Sequence, residues 1–316
     1  MQLRVRSITY LAEAVNSYEL VDPRGRDLPR FEAGAHIELQ VDGLWRQYSL
    51  WNDPAERRRY CIAVLRESQS RGGSQYLHER TRVGDLVEVS MPRNNFRVDP
   101  VAARHLLIAG GIGIAPIMSM IAELRRRRAE FEVHYCTRSP EKTAFRGELE
   151  PLAAEGLLHF HHDDGNPAHS LDIAAALREP QLGTHLYYCG YYCGPAQLME
   201  AAACAARGWP PETVHYEYFT ASPERIHGED RAFRVKLARS GGDYEVPIGE
   251  TIVSVLQRHG IAVRTSCELG YCGACLTPYL SGEPDHRDQV LEENGRERYV
   301  LICCSRARTP VLELDL

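Results

Sequence analysis

Three cysteines in the run Cys267-Glu-Leu-Gly-Tyr-Cys272-Gly-Ala-Cys275, with a fourth at Cys303 or Cys304, constrain this chain more than any other feature. A C-x4-C-x2-C loop supplies three thiolates from one tight turn, and a distant segment supplies the fourth. That is the ligand spacing of a plant-type [2Fe-2S] cluster. Gly270 and Gly273 suit such a loop, because wrapping an inorganic core demands positive φ and close backbone approach. Zinc is the competing reading, but zinc ribbons pair two short C-x2-C elements, whereas here one three-cysteine loop faces a distant cysteine. Cys303 and Cys304 are adjacent, and only one is expected to bind.

The chain has 316 residues, enough for two or three domains, and its 44% hydrophobic and 25% charged content is that of a globular protein. A net charge of -6 argues against nucleic acid as the main partner. The four arginines at 125–128 follow an apolar, helix-like segment and read as a solvated helix end that complements the dipole. The N-terminus shows no apolar core followed by a cleavage site, and the uncharged stretch 106–122 is short of a bilayer span and broken by glycine and proline. Ten cysteines in that context predict reduced thiols and metal ligands in a cytoplasmic protein.

Short β-rich runs separated by Pro, Gly and Asp turns predict a small antiparallel β-barrel up to about residue 98. From about residue 104, strand, glycine-rich turn, helix and strand alternate, which predicts an α/β domain with a parallel sheet. Residues 221–230 are polar and lack an apolar period, so they read as a linker. Beyond them, a hairpin turning at Gly241-Gly242, a helix closing at Gly260 and the cysteine loop predict a C-terminal β-grasp domain.

Arg46 and Tyr48 share one face of a strand, where an arginine can pair with phosphate and a tyrosine can pack on a flat ring, or the two can simply be surface neighbours. The run Arg71-Gly72-Gly73-Ser74 precedes a helix-like segment and offers N–H groups to an anion. Gly110-Gly111-Ile112-Gly113-Ile114-Ala115-Pro116 forms a strand-to-helix turn suited to a pyrophosphate, yet it is not the dinucleotide fingerprint, since Pro116 stands where a third glycine belongs. Arg138 and Ser139, at the next strand end, are equally suited to ribose or adenine edges and to capping a helix. His159, His161, His162, Asp163 and Asp164 are divided between two faces by strand alternation, which predicts a structural or turn role. Cys61, Cys136 and Cys204 are expected as small core residues.

Taken together, Arg46-x-Tyr48-Ser49-Leu50, Arg71-Gly-Gly-Ser74, Gly110-Gly-Ile-Gly-Ile, Cys193-Gly194-Pro195, Glu217-Tyr-Phe219 and the cysteine loop make the chain resemble the phthalate dioxygenase reductase family over nearly its whole length. The resemblance implies an FMN-binding barrel at 1–99, an NAD-binding domain at 100–223, a linker at 224–230 and a plant-type ferredoxin domain at 231–316. It implies that hydride passes from NADH to FMN, and that single electrons then pass through [2Fe-2S] to an oxygenase component. By motif, Arg46, Tyr48, Ser49, Gly72, Gly73 and Ser74 would bind FMN, and Phe219 would lie by the flavin ring. Gly111, Gly113, Ala115, Arg138, Ser139, Cys193, Gly194 and Pro195 would line the nicotinamide cofactor, with Cys189-Gly190 the alternative to Cys193-Gly194. The family's pattern of ligand, spacer, Ser-Arg selects Cys303 beside Cys267, Cys272 and Cys275. The partner is expected to dock around Glu268, Leu269 and Tyr271. A reductase for a cytochrome or soluble ferredoxin, and a non-catalytic redox sensor, are the competing functions.

Two departures stand out. Ala115 replaces the family's usual threonine, and Tyr187-Tyr-Cys-Gly190 is followed at once by Tyr191-Tyr-Cys-Gly194. One copy must form strand while the other is absorbed as a bulge or longer loop.

Overall fold

The computed structural model describes residues 1–67, 72–178, 183–190, 196–219, 230–265, 268, 270, 273–288, 290–291 and 293–316. The chain divides into two compact units, Met1–Phe219 and Thr220–Leu316.

In the first unit, β1 (Gln2–Ala12), β2 (Val15–Val21), β3 (His36–Val41), β4 (Leu44–Ser49), β5 (Tyr60–Leu65), α1 (Gly73–Glu79) and β6 (Leu86–Val89) form the expected antiparallel barrel. Strand order is β4-β3-β6-β1-β2-β5. The two edges approach each other where Leu50 bridges Ile62 and the Trp51 N–H donates to Cys61 O at 3.0 Å, which draws the sheet round into a barrel. Alternation along the strands fills the interior with Leu3, Val5, Tyr18, Leu39, Ile62 and Val89.

The α/β part of this unit follows as β7 (Arg104–Gly110), α2 (Ile114–Arg127), β8 (Glu130–Thr137), α3 (Arg146–Ala154), β9 (Leu158–His162), α4 (Ile173–Ala176), β10 (Thr184–Gly190), α5 (Ala196–Ala205) and β11 (Val214–Tyr218). The strands are parallel in the order β11-β10-β7-β8-β9, so the order reverses between β7 and β10. Ile114, Ile117, Met120, Ile121 and Leu124 recur at helical spacing and bury one face of α2, each contributing roughly 1.5–3 kcal/mol of transfer free energy. Its end behaves as its charges require: Arg128 takes the left-handed C-cap conformation, Arg127 pairs with Glu123 and Arg125 with Glu155 at 3.1 Å.

Barrel and sheet meet closely at Gly34. Its N–H donates to Ser119 Oγ in α2 at 3.0 Å, its φ is +86°, and a Cβ there would lie 1.9 Å from Phe96 O. Only glycine fits that approach.

Histidines gather on both faces of the sheet. His134 Nδ1 lies 3.0 Å from His161 Nε2, with Glu132 3.4 Å from His134 and 3.3 Å from His159. On the other face His185 Nδ1 lies 3.0 Å from His215 Nε2, and Tyr187 stacks between His215 and His105. His162 points away from its neighbour His161 and meets Thr143 Oγ1 at 3.0 Å, as alternation predicts. Among the described residues no group of side chains is arranged to hold a metal ion. Cys61 is a core residue and Cys136 half-buried, but Cys204 is exposed on α5, contrary to expectation. The alanine-rich helix gave no periodic signal to orient it.

The second unit contains β12 (Phe233–Leu237), β13 (Asp243–Val246), α6 (Ile252–Arg258), β14 (Leu276–Ser281), β15 (Pro284–Asp285), α7 (Glu293–Arg296), β16 (Tyr299–Leu301), β17 (Arg306–Ala307) and β18 (Val311–Leu314). The main sheet runs β13-β12-β18-β14-β16, with β12 and β18 parallel. α6 packs Ile252, Val253, Val255 and Leu256 into this core. A reciprocal capping box fixes its start: Ser254 N–H donates to Thr251 Oγ1 at 3.0 Å, and Thr251 N–H to Ser254 Oγ at 3.1 Å. Among the described residues, no helix is long and apolar enough to cross a membrane.

Candidate functional site

On β4, Arg46 and Tyr48 stand opposite Leu39 and Ile37 of β3, on the same face. The Arg46 stem crosses the start of α1, and a Cβ on Gly73 would sit 2.6 Å from its Cγ and 3.3 Å from its Nε. Gly72, at φ +96°, is the N-cap that turns the chain into α1. A guanidinium is thus held against glycine backbone at a helix start, a donor set suited to phosphate. Ser74 Oγ accepts from the Glu67 N–H at 3.3 Å, and Ser49 is buried. Burial holds the Tyr48 phenol well above its ordinary range, against a smaller opposing pull from Arg46, so it stays protonated. Arg71 lies outside the described residues.

Gly111 has φ +54° and opens the one-turn 3-10 segment Gly111–Gly113 that leads from β7 into α2. Gly113 is the N-cap of α2 and brings no side chain, so main-chain N–H groups are what the helix presents there. This turn sits beside the β7/β10 reversal of strand order, where open α/β sheets bind ligands at the carboxyl ends of their strands. Ala115 is buried in the core between barrel and sheet. Arg138 is exposed, and its carbonyl accepts from Asp164 N–H at 2.8 Å. Ser139 makes no capping bond with its side chain; its carbonyl accepts from Thr143 Oγ1 at 2.9 Å. Phe219 is half-buried against the same core as Ala115. Trp51, which the sequence reading did not single out, packs there too. Its indole N–H donates to Ser17 Oγ at 3.1 Å, and its ring meets Phe145 at 4.9 Å. Its place directly after the Tyr48-Ser49-Leu50 run was the available signal.

The first Tyr-Tyr-Cys-Gly copy forms the end of β10, with Tyr187, Tyr188 and Cys189 buried. Cys193, Gly194 and Pro195 lie outside the described residues.

In the second unit the pairing of Leu276 with Leu301 brings together the chain segments that carry Cys275 and Cys303. Both thiols are buried, and the Cys303 thiol is pushed far above its ordinary range, by Cys275 first and Cys304 next. Gly270 and Gly273 have φ of +81° and +69°, as the loop demands, and Glu268 joins them at +56°. A Cβ on Gly270 would lie 2.6 Å from Cys304 Sγ and 3.2 Å from Asp288 Cα. The Cys304 thiol donates to Leu301 O at 3.6 Å and lies against the loop at Gly270. Cys267, Cys272, Leu269 and Tyr271 lie outside the described residues. Two buried thiols beside a loop whose glycine admits no side chain fit a thiolate-held cluster.

Residues 235–308 match the 2Fe-2S iron-sulfur cluster binding domain, and residues 107–204 match the oxidoreductase NAD-binding domain. The chain is 46% identical to the tert-butanol monooxygenase / tert-amyl alcohol desaturase reductase subunit of Aquincola tertiaricarbonis, covering 100% of this chain and 96% of that one. It is 42% identical to the phthalate dioxygenase reductase of Burkholderia cepacia, covering 100% and 97%. This chain belongs to the phthalate dioxygenase reductase family. A solved phthalate dioxygenase reductase, described as a modular structure for electron transfer from pyridine nucleotides to [2Fe-2S], superposes with a TM-score of 0.76 at 42% identity, covering 100% and 98%. As a member of the phthalate dioxygenase reductase family, the chain is an oxidoreductase with a flavin barrel, an NAD-binding domain and a [2Fe-2S] domain.

Proposed function

We propose that this chain is the NADH-dependent reductase component of a Rieske-type oxygenase system, using FMN and one [2Fe-2S] cluster and working in the cytoplasm. The observation that carries the reading is the coexistence, in one chain that matches oxygenase reductases over nearly all of their length, of the Arg46–Gly73 cradle, the Gly111–Gly113 turn and the Cys275–Cys303 pair. The domains are taken as 1–99, 100–223 and 231–316, joined by 224–230. Bound flavin supplies the conversion of a two-electron hydride into single electrons.

The protein's part is placement. Arg46 and the N–H groups of Gly72, Gly73 and Ser74 hold the flavin phosphate, where a single phosphate favours FMN over a dinucleotide. Tyr48, Ser49 and Phe219 position the ring. Gly111, Gly113, Cys193, Gly194 and Pro195 receive the nicotinamide half of NADH, and Arg138 with Ser139 the adenosine half. Ala115 shapes the wall behind them with a methyl group. Cys267, Cys272, Cys275 and Cys303 hold the cluster, and the oxygenase docks around Glu268, Leu269 and Tyr271.

The test is a visible spectrum of the purified chain before and after NADH under anaerobic conditions. Flavin and cluster bands that bleach with NADH support the proposal. A chain with a cluster but no flavin, or one that NADH leaves unbleached, excludes it.

A further inference from the structure

The buried pair His286 and Asp288 has no part in the mechanism given above. Asp288 is fully buried by its side chain, and its Oδ2 accepts from Val290 N–H at 3.2 Å and Leu291 N–H at 2.8 Å, which accounts for a turn. Its Oδ1 has no hydrogen-bond partner among the described residues. Nor has His286 Nδ1, which faces that oxygen at 3.6 Å. The other ring nitrogen, Nε2, meets Arg296 O at 3.1 Å. A carbonyl accepts only, so Nε2 carries a proton, and with one proton on the ring Nδ1 would be bare. A nitrogen lone pair would then confront a carboxylate oxygen, an arrangement that a second proton, on Nδ1, converts from repulsive to attractive.

The surrounding charges are engaged elsewhere. Arg287 pairs with Asp230 and Asp285, Arg308 lies 3.8 Å from Asp285, and Arg296 donates to Leu291 O and Asp288 O. The His286 side chain is 14% exposed, with Nδ1 itself shielded from solvent. The backbone of Asp288 packs on Gly270, between the first two cysteines of the cluster loop, at the 3.2 Å approach noted above.

We propose that His286 and Asp288 form a proton-responsive pair that couples electron transfer at the cluster to proton uptake. His286 Nδ1 takes one proton from solvent for each electron that enters the cluster, and returns it when the electron leaves for the partner. Charge beside the loop is then balanced in both redox states. This inference rests on the cluster assignment under Proposed function.

The test is a potentiometric titration of the full-length protein between pH 6 and 9, with the reduced cluster read by electron paramagnetic resonance. The cluster potential of the unmodified chain is expected to fall with rising pH, by up to a tenfold change in equilibrium per unit, ~59 mV for one electron. In His286→Gln the slope is expected to vanish while the cluster spectrum persists. In Asp288→Asn, which keeps an acceptor for the turn, the slope weakens. A flat profile in the unmodified chain, or an unchanged slope in His286→Gln, overturns the proposal. Should His286→Gln fail to assemble, the unmodified chain and Asp288→Asn decide: a pH-independent potential in the first, or equal slopes in both, overturns it. An unmodified chain without cluster bands overturns the functional reading itself, and is recognised before any titration begins.

Discussion

The stem of Arg46 occupies the space that a side chain on Gly73 would need, with its Cγ 2.6 Å from the Cβ position. Gly73→Ala must therefore displace the guanidinium from the start of α1. A charge-assisted hydrogen bond contributes about 1.5–3 kcal/mol, so flavin retention is expected to weaken ~10- to 100-fold. Flavin absorbance after gel filtration checks this, with cluster absorbance unchanged.

Substitution can separate Cys303 from Cys304. Cys303→Ser is expected to abolish cluster absorbance while flavin binding and NADH-driven dye reduction persist. Cys304→Ala keeps the cluster and costs about 1 kcal/mol through a small cavity beside Gly270. The reverse pattern would move the fourth ligand to Cys304.

Gly34→Ala combines a φ of +86° with a 1.9 Å contact on Phe96 O. Neither is relieved by a side-chain rotation, so a loss of about 3 kcal/mol or more is expected, lowering Tm by ~6 °C or more. Flavin release on heating should report it.

Acid should loosen the first unit. Burial holds His36 down at about 3, with Arg93 adding to it, and holds His161 and His215 at about 4, helped by His134 and His185 respectively. An unfolded histidine titrates near ~6.5, so below that pH the unfolded chain binds protons that the folded one refuses. Stability is then level above pH 7 and falls from about 6.5 towards 4. His36→Phe, which removes two buried ring nitrogens without hydrogen-bond partners among the described residues, is expected to flatten part of that fall in urea titrations run at pH 5 and pH 7.

Much of this was legible in the chain because each signal is local. Alternation marked the strands of the barrel, the switch to a helical period after Gly113 marked the α/β part, and Gly260 follows the end of α6 as expected of a closing glycine. Cysteine spacing revealed the cluster loop without any knowledge of the fold. What stayed hidden depends on pairing between distant segments. His134 was unremarkable until β8 and β9 aligned it with His161, and Trp51 had no meaning before Phe145 was placed against it. His286 and Asp288 are two residues apart, yet their significance comes from Gly270, on a separate segment. Cys204 misled because a small residue in an alanine-rich helix carries no phase.

The tandem Tyr-Tyr-Cys-Gly repeat has an evolutionary reading. The Tyr187 hydroxyl accepts from the Asp99 N–H at 2.9 Å, which ties β10 to the segment ahead of β7 and pins the first copy in place. An insertion of four preserves the in-and-out rhythm of a strand, whereas one or three would invert it. Such a copying stutter is thus silent to the phase of β10, because in sequence the second copy follows Gly190, where the strand ends. Selection is free to rewrite the second copy, with the strand's own copy kept as an untouched original.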